Sequence, residues 1–551
     1  MSKVDVERTK AQSAGLRGTI PEELREPTDR FGDEAVALLK FHGTYQQDDR
    51  DQRKSARDSG AGKDYSFMVR TKNPGGFLPA PMYRAIDRLA DEFGNGTIRV
   101  TTRSGLQLHG VRKANLRTVI AVINASFGST LGACGDINRN VMAPPFPFAG
   151  APYVAAREAA RAIAELLTPR ATAYYEIWQD GDVVHSTAPL DEPIYGTAFL
   201  PRKFKIAVAA PGDNSVDLYA NDIGVVPVLA SDESVLGYDL LVGGGLGMTH
   251  GKPETYARLA DEFAYVPQER LLDAVRAIVL VQRDHGDRTN RRHARFKYLV
   301  AERGLAWLRA EVETVAGFAL EEYRPLPPWT MPQHLGWNAA GDGTFFYGFA
   351  IANGRIRGAC KTALAEIVSA FDTDLVATPD QNLLVIGIEP AARAAIDAII
   401  ARAGIVEPQT VSARERVSMA CPALPTCGLA LAESERVLPD IIAQIDTDLA
   451  ALGLADRPVA LRMTGCPNGC ARPVLGEVGI VGVSADRYKI YLGGNAASTR
   501  LNVPYRENIR AAEISPLLAP LFARWAAEGA AGEGFGDFCL RAIVNAPPSA
   551  S

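Results

Sequence analysis

The chain has 551 residues, of which 47% are hydrophobic, and a formal net charge of −5 at pH 7. That length supports a large core spread over roughly two or three domains, and the acidic balance excludes a global nucleic-acid-binding field, so any functional basic cluster must be local. The charged start, MSKVDVERTKAQ, has no apolar core, and no apolar run approaches the roughly 20 residues of a membrane span; the expectation is a soluble, cytoplasmic protein without a signal peptide.

In chain order, residues 1–35 are polar and poor in aromatics and read as an extended arm. YSFMVRTK (65–72) and IRVTTRSGLQLHGV (98–111) alternate as strands do, and a helical pattern follows at about 114–127, ending at Gly128. PPFPFAGAP (144–152), with four prolines, marks a boundary. The segment 153–322 alternates helical and strand patterns: VAAREAARAIAELL as an amphipathic helix, AYYEIW, FKIAVAA and YDLLVGGG as strands, then helices at about 254–281 and 303–316. YRPLPPWTMPQHLGW (323–337) is a second linker. After it, DLVATPDQNLLVIGI (374–388) and the helix pattern AARAAIDAIIARAG repeat the layout of 98–127, with Leu106 matching Leu383 and Gly110 matching Gly387, both 277 residues apart. A repeat this long suggests two related α/β units about a pseudo-two-fold axis; two ordinary strand–helix units stay open on the pattern alone.

The chemistry concentrates in the last part. Cys421 and Cys427 (C-x5-C) and Cys466 and Cys470 (C-x3-C) place four of the seven cysteines within fifty residues, a pattern for a thiolate-bound metal centre in a reduced compartment. A proline-containing C-x5-C is a poor zinc knuckle, so spacing favours a [4Fe–4S] cluster; zinc and buried cysteines with no ligand role stay open. The glycine run GGGLGMTHGK (243–252) fails as a Walker loop at Leu246 and Pro253 and as a dinucleotide fingerprint at Met248. Electrons must then arrive from another protein. Arg70 and Lys72 alternate on one strand, as do Lys203 and Lys205, and Arg99, Arg103 and Gln107 fall on one face of 98–111. For any one pair the plain reading is a solvated strand edge.

FHGTYQQDDRD (41–51), LGACGDINRN (131–140), FLPRKFK (199–205), RMTGCPNGCARPVLGEVGIVG and YLGGN (491–495), in that order, resemble the sulfite and nitrite reductase hemoproteins. The resemblance runs from about residue 15 to about 540. It implies an α+β, three-domain fold with an internal pseudo-two-fold duplication of ferredoxin-like α/β units. The expected division is an arm (1–35), a first half-domain (36–145), a siroheme- and substrate-binding domain (146–325), a second half-domain (326–410) and a cluster-binding domain (411–551). The implied cofactors are siroheme and a [4Fe–4S] cluster held by Cys421, Cys427, Cys466 and Cys470, with Cys470 bridging the two. Siroheme carries eight carboxylates, which an Arg- and Lys-rich lining suits. By motif match Arg99, Arg103, Gln107, Arg202 and Asn468 should contact it, and His109 should form part of the pocket wall. Arg70, Arg139, Lys203 and Lys205 should ring the open face and bind the substrate anion, with the lysines as proton donors. Cys134 should lie near the pocket, while Cys360 and Cys539 read as packing residues. The implied activity is assimilatory reduction of sulfite to sulfide, with nitrite reduction to ammonia as the alternative and a non-catalytic iron–sulfur sensor as a remote one. The implied donor is ferredoxin or a separate flavoprotein subunit; no nucleic acid or membrane partner is expected.

Overall fold

The computed structural model describes residues 4–170, 176–179, 182–186 and 192–545. The expected duplication takes the form of two five-stranded sheets. The first runs in the order Thr44–Asp48, Tyr65–Arg70, Leu106–Val111, Ile98–Val100, Arg355–Ile356. The second runs Gly336–Ala339, Phe345–Phe349, Leu383–Ile388, Leu375–Ala377, Phe77–Leu78. Each half therefore lends its shortest strand to the sheet of the other. The handover needs close backbone approach: a Cβ on Gly76 (φ +83°) would lie 2.2 Å from the Ala377 carbonyl oxygen, and one on Gly354 (φ +75°) 2.5 Å from that of Val100. Behind the sheets lie helices Ala80–Glu92 and Gly358–Phe371, which pack on one another. Met82, Tyr83, Ile86 and Leu89, at helical spacing, join Leu364 and Ile367 in one core spanning both halves.

The middle unit is a four-stranded sheet in the order Asp261–Pro267, Val235–Val242, Ile223–Leu229, Ile206–Val208, covered by helices that include Ala151–Leu166 and Leu271–His285. The last unit is a five-stranded sheet, Met419–Ala420, Leu461–Thr464, Val478–Ser484, Arg487–Leu492, Val503–Ile509. It is packed under helices Leu438–Ala451 and Ile514–Glu528 through Ile445, Leu461, Ile490 and Phe522.

Four expectations need correction. The segment 98–111 is two strands, because Thr101–Gly105 turn back, with Ser104 at φ +55°. Its repeat, 374–388, breaks the same way at Gln381 (φ +74°). The expected helix at 254–281 instead contains the strand Asp261–Pro267, where Phe263, Tyr265 and Val266 favour an extended chain, and becomes α-helical only at Leu271. The extended arm holds helices Val6–Ala11 and Ile20–Arg25, the first capped by Asp5, whose carboxylate accepts from the Arg8 amide at 3.1 Å. The AYYEIW strand lies partly outside the described residues; Glu176–Gln179 is a strand. No described helix is long and apolar enough to cross a membrane.

Candidate active site

The cysteines meet because of strand direction. Met419–Ala420 and Leu461–Thr464 are adjacent and parallel, so the loops leaving their C-terminal ends, one with Cys421 and Cys427 and the other with Cys466 and Cys470, emerge at one edge. The loops are tied together: Leu431 and Ala432 amides both donate to the Gly465 carbonyl (2.7 and 3.0 Å), and the Gly465 amide donates to Cys421 Sγ at 3.3 Å. Arg50, from the FHGTYQQDDRD stretch, donates to the Cys427 carbonyl at 3.1 Å and also to that of Ala430. Burial, then the charge of Cys470, pushes the Cys421, Cys427 and Cys466 thiols up, Cys466 to about 11. Loading iron must therefore displace protons and cancel like charge. Among the described residues no group of three or more His, Cys, Asp or Glu side chains is close enough to hold a single metal ion. Four thiols presented by two adjoining loops can supply the all-cysteine ligand set of a [4Fe–4S] cluster.

Cys470 differs from the other three. It is exposed, and it lines a cleft where the first half, the middle unit and the last unit meet, with Thr102, Arg103, Lys203, Lys205, Asn221, Leu246, Gly247, Arg295, Asn468 and Arg472. The Thr102 hydroxyl donates to its carbonyl at 2.8 Å. The cleft is strongly cationic. Neither the Lys203 nor the Lys205 ammonium has an ion-pair partner among the described residues. Burial, followed by the charges of Arg202, Arg295 and Arg139, brings Lys203 down to about 7. Burial with Arg103 and Lys203 holds Lys205 well below its usual range. Arg103 falls to about 9 through burial and the neighbouring Arg472 and Arg139. Its Nε, like that of Arg295, is buried without a partner. Buried cations left this way are costly unless an anion enters.

The expected residues divide into groups. Arg103, Lys203, Lys205, Asn468 and Cys470 line the cleft. Arg70 lies close by, bonded to Cys134 Sγ (2.8 Å), over the Tyr45 ring, and to the Gln107 amide oxygen (Nε 2.9 Å), and it feels the charge of Cys470. Arg139 donates to the Gly135 carbonyl at 2.9 Å. Four placements differ from expectation. Arg99 is engaged by Glu435 and by the Ala420 carbonyl (2.8 Å), so it braces the cysteine loop. Arg103 sits in the turn, not on a strand face with Arg99, and bonds Asn221 and the Asn140 and Ile206 carbonyls. Arg202 points the other way from Lys203 and Lys205, toward Asp136 at 3.7 Å, and does not line the cleft. Lys72 reaches Thr168, just past the C-terminal end of the Ala151–Leu166 helix, instead of sharing the surroundings of Arg70. His109 is buried with both ring nitrogens unpartnered, and burial with Arg355, Arg99 and Arg70 keeps it neutral.

Sequence reasoning missed Arg295, which pairs with Asp222 at 3.0 Å, and Asp217, which takes both Arg462 (2.9 Å) and Arg472. Asp217 joins the middle unit to the cysteine unit. Burial alone would raise its carboxyl, but the two guanidinium groups hold it down. Asp217→Ala should cost about 3–5 kcal/mol by stranding two buried cations, read as a large fall in Tm with separation of the two units on limited proteolysis.

The model of the nitrite and sulphite reductase 4Fe-4S domain matches residues 158–320, and that of the nitrite/sulfite reductase ferredoxin-like half domain matches 60–126 and 338–403, which are the two swapped halves. A sulfite reductase [ferredoxin] of Synechococcus elongatus is 46% identical over 98% of this chain and 90% of its own. The chain belongs to the nitrite and sulfite reductase family. A sulfite reductase [NADPH] hemoprotein beta-component of Myxococcus xanthus is 45% identical, covering 98% and 96%. The structure of Mycobacterium tuberculosis NirA protein superposes with a TM-score of 0.81 at 23% identity, over 98% of this chain and 96% of that one, and so shares the fold. The four cysteines lie C-terminal to the segment matched as the 4Fe-4S domain. The family's cofactors, siroheme and a [4Fe–4S] cluster, fit the residues present. The unpartnered Nε atoms of Arg103 and Arg295 and the two unpaired lysines suit a polycarboxylate macrocycle, and Cys470 is the thiol that faces both the cleft and the other three cysteines.

Proposed function

We propose that this protein is an assimilatory sulfite reductase, reducing sulfite to sulfide with electrons from a separate carrier protein. The observation that carries this reading is the pair of half-buried lysines, Lys203 and Lys205, lining the cleft with Cys470 and without a carboxylate partner among the described residues. A protein that merely held a cluster would have no reason to gather unpaired cations there. Siroheme and the cluster would relay the carrier's six electrons to the substrate. Cys421, Cys427, Cys466 and Cys470 would hold the cluster, Cys470 from the side of the cleft that would take siroheme. Arg103, Arg295 and Asn468 would hold siroheme carboxylates. Arg70, Arg139, Lys203 and Lys205 would hold the substrate anion and stabilise charge as S–O bonds break. Lys203 Nζ is the group suited to give up a proton, because burial, and then the cations around it, bring its pKa down to about 7 while the guanidiniums stay charged. Ferredoxin is our reading of the donor, supported by the name of the Synechococcus relative.

The test is steady-state reduction of sulfite and of nitrite by the purified protein with reduced methyl viologen, after its visible spectrum is recorded. The expected result is a siroheme spectrum and a higher kcat/KM for sulfite. A preference for nitrite would move the assignment to nitrite reduction. Absence of siroheme and of turnover would sink the enzymatic reading.

A further inference from the structure

The two loops that present the anion-binding side chains run side by side. The Leu200 amide donates to the Asp136 carbonyl (2.9 Å), the Phe204 amide to that of Ile137 (3.0 Å) and the Arg139 amide to that of Phe204 (2.8 Å). One loop carries Arg139, the other Lys203 and Lys205. The ladder ends at Leu200 and Asp136, and there the helix Val6–Ala11 inserts Lys10, with only 1% of its side chain exposed. Its ammonium donates to the Leu200 carbonyl at 2.7 Å and pairs with Glu7 at 2.5 Å and Asp136 at 3.6 Å. Arg291 meets Asp136 at 2.8 Å, and Arg288 joins Glu7 (2.6 Å) to the Phe199 carbonyl (2.6 Å). Arg202, the neighbour of Lys203, is the remaining cation on Asp136.

We propose that Lys10 is a positioning residue for the substrate-anion ring: by tying the Leu200 carbonyl to the Asp136 carboxylate it fixes where Lys203, Lys205 and Arg139 stand. Burying a lysine is expensive, and an apolar side chain would fill the same space more cheaply if packing were all the site required. An ammonium donates to the Leu200 carbonyl on one loop and attracts, by charge, the Asp136 carboxylate 3.6 Å away on the other, which an uncharged side chain does not do. Burial holds the Lys10 ammonium below its usual range even with Asp136 and Glu7 beside it, in line with a tightly enclosed contact. The segment that composition reads as an arm is thereby part of the site's support. The inference rests on the assignment of Lys203 and Lys205 to the anion ring.

The test uses the cofactor-loaded full chain as wild type, Lys10→Met and Lys10→Gln; the glutamine amide can still donate to Leu200 without carrying charge. Amide hydrogen exchange is followed by mass spectrometry alongside sulfite kinetics. The expected result for Lys10→Met is at least tenfold faster exchange in 200–206, unchanged exchange in Val478–Ser484, unchanged siroheme content and a KM for sulfite raised about tenfold, with Lys10→Gln intermediate. Unchanged exchange in 200–206 would overturn the proposal, as would a uniform rise throughout the chain or, should Lys10→Met not fold, a Lys10→Gln protein with wild-type exchange and KM. Faster local exchange with an unaltered KM would instead overturn the underlying assignment of Lys203 and Lys205.

Discussion

Replacing Cys470 with alanine should abolish sulfite reduction, with a loss well beyond the roughly 10–100-fold typical of removing an outer-shell partner of a metal site. The reason is positional. Cys421 and Cys466 are buried and Cys427 is partly so, but Cys470 is exposed to the cleft where Lys203, Lys205 and Arg103 converge. Cys421, Cys427 and Cys466 all feel its charge. One cysteine therefore meets the cluster position and the cleft together, and among the described residues no other cysteine lines that cleft. The measurement is iron and acid-labile sulfide content, the visible spectrum and methyl-viologen turnover of Cys470→Ala. Cys539→Ala is the control, because Cys539 is buried in the core under the last sheet with Phe522 and Phe535. The control should keep spectrum and turnover. A Cys470→Ala protein with wild-type turnover would remove the shared-thiolate arrangement.

What could be read in the sequence, and what could not, follows from how far apart the interacting parts lie. The cysteine pairs were legible because each loop follows a strand end, so short spacing carries the geometry. The duplication was legible as well, since a constant offset survives in apolar positions such as Leu106 and Leu383. The exchange of Phe77–Leu78 for Arg355–Ile356 was not, because a two-residue strand has no periodicity to detect. The turn at Thr101–Gly105 was missed for a different reason. Its left-handed residue is Ser104 rather than a glycine, so alternation seemed to continue and put Arg103 on a strand face. Arg295, Asp217 and Lys10 gave no local signal at all. Their partners, Asp222, Arg462 and the Leu200 carbonyl, lie 73, 245 and 190 residues away. The same distance dependence explains the basic residues: their identity announced an anion site, while the division between Lys203, which enters the cleft, and Arg202, which turns to Asp136, needed the fold.

The Lys203→Met/Lys205→Met double variant should lose about 10²–10⁴-fold in kcat, the usual contribution of a positioned general acid, while keeping its siroheme spectrum. Two effects are separable. Removing the charges weakens the hold on the anion and raises KM; removing the ammonium proton slows the chemical step and lowers kcat. Lys203→Arg distinguishes them, because a guanidinium keeps the charge but does not release its proton near neutrality. That variant should retain most of the affinity for sulfite and lose most of the rate. The pH dependence has a definite sign. With a pKa brought down to about 7 by burial and by Arg202, Arg295 and Arg139, Lys203 is protonated below that pH and neutral above it. The acid form is thus lost as pH rises, and kcat/KM should fall through an alkaline limb beginning at about 7. A bound anion favours the charged ammonium, so the corresponding limb of kcat should lie at higher pH. Lys203→Arg should flatten both limbs along with its lower rate. A double variant with undiminished six-electron turnover, or wild-type profiles with no alkaline limb, would take the proton-donor role away from these lysines and leave them as anion-binding charges alone.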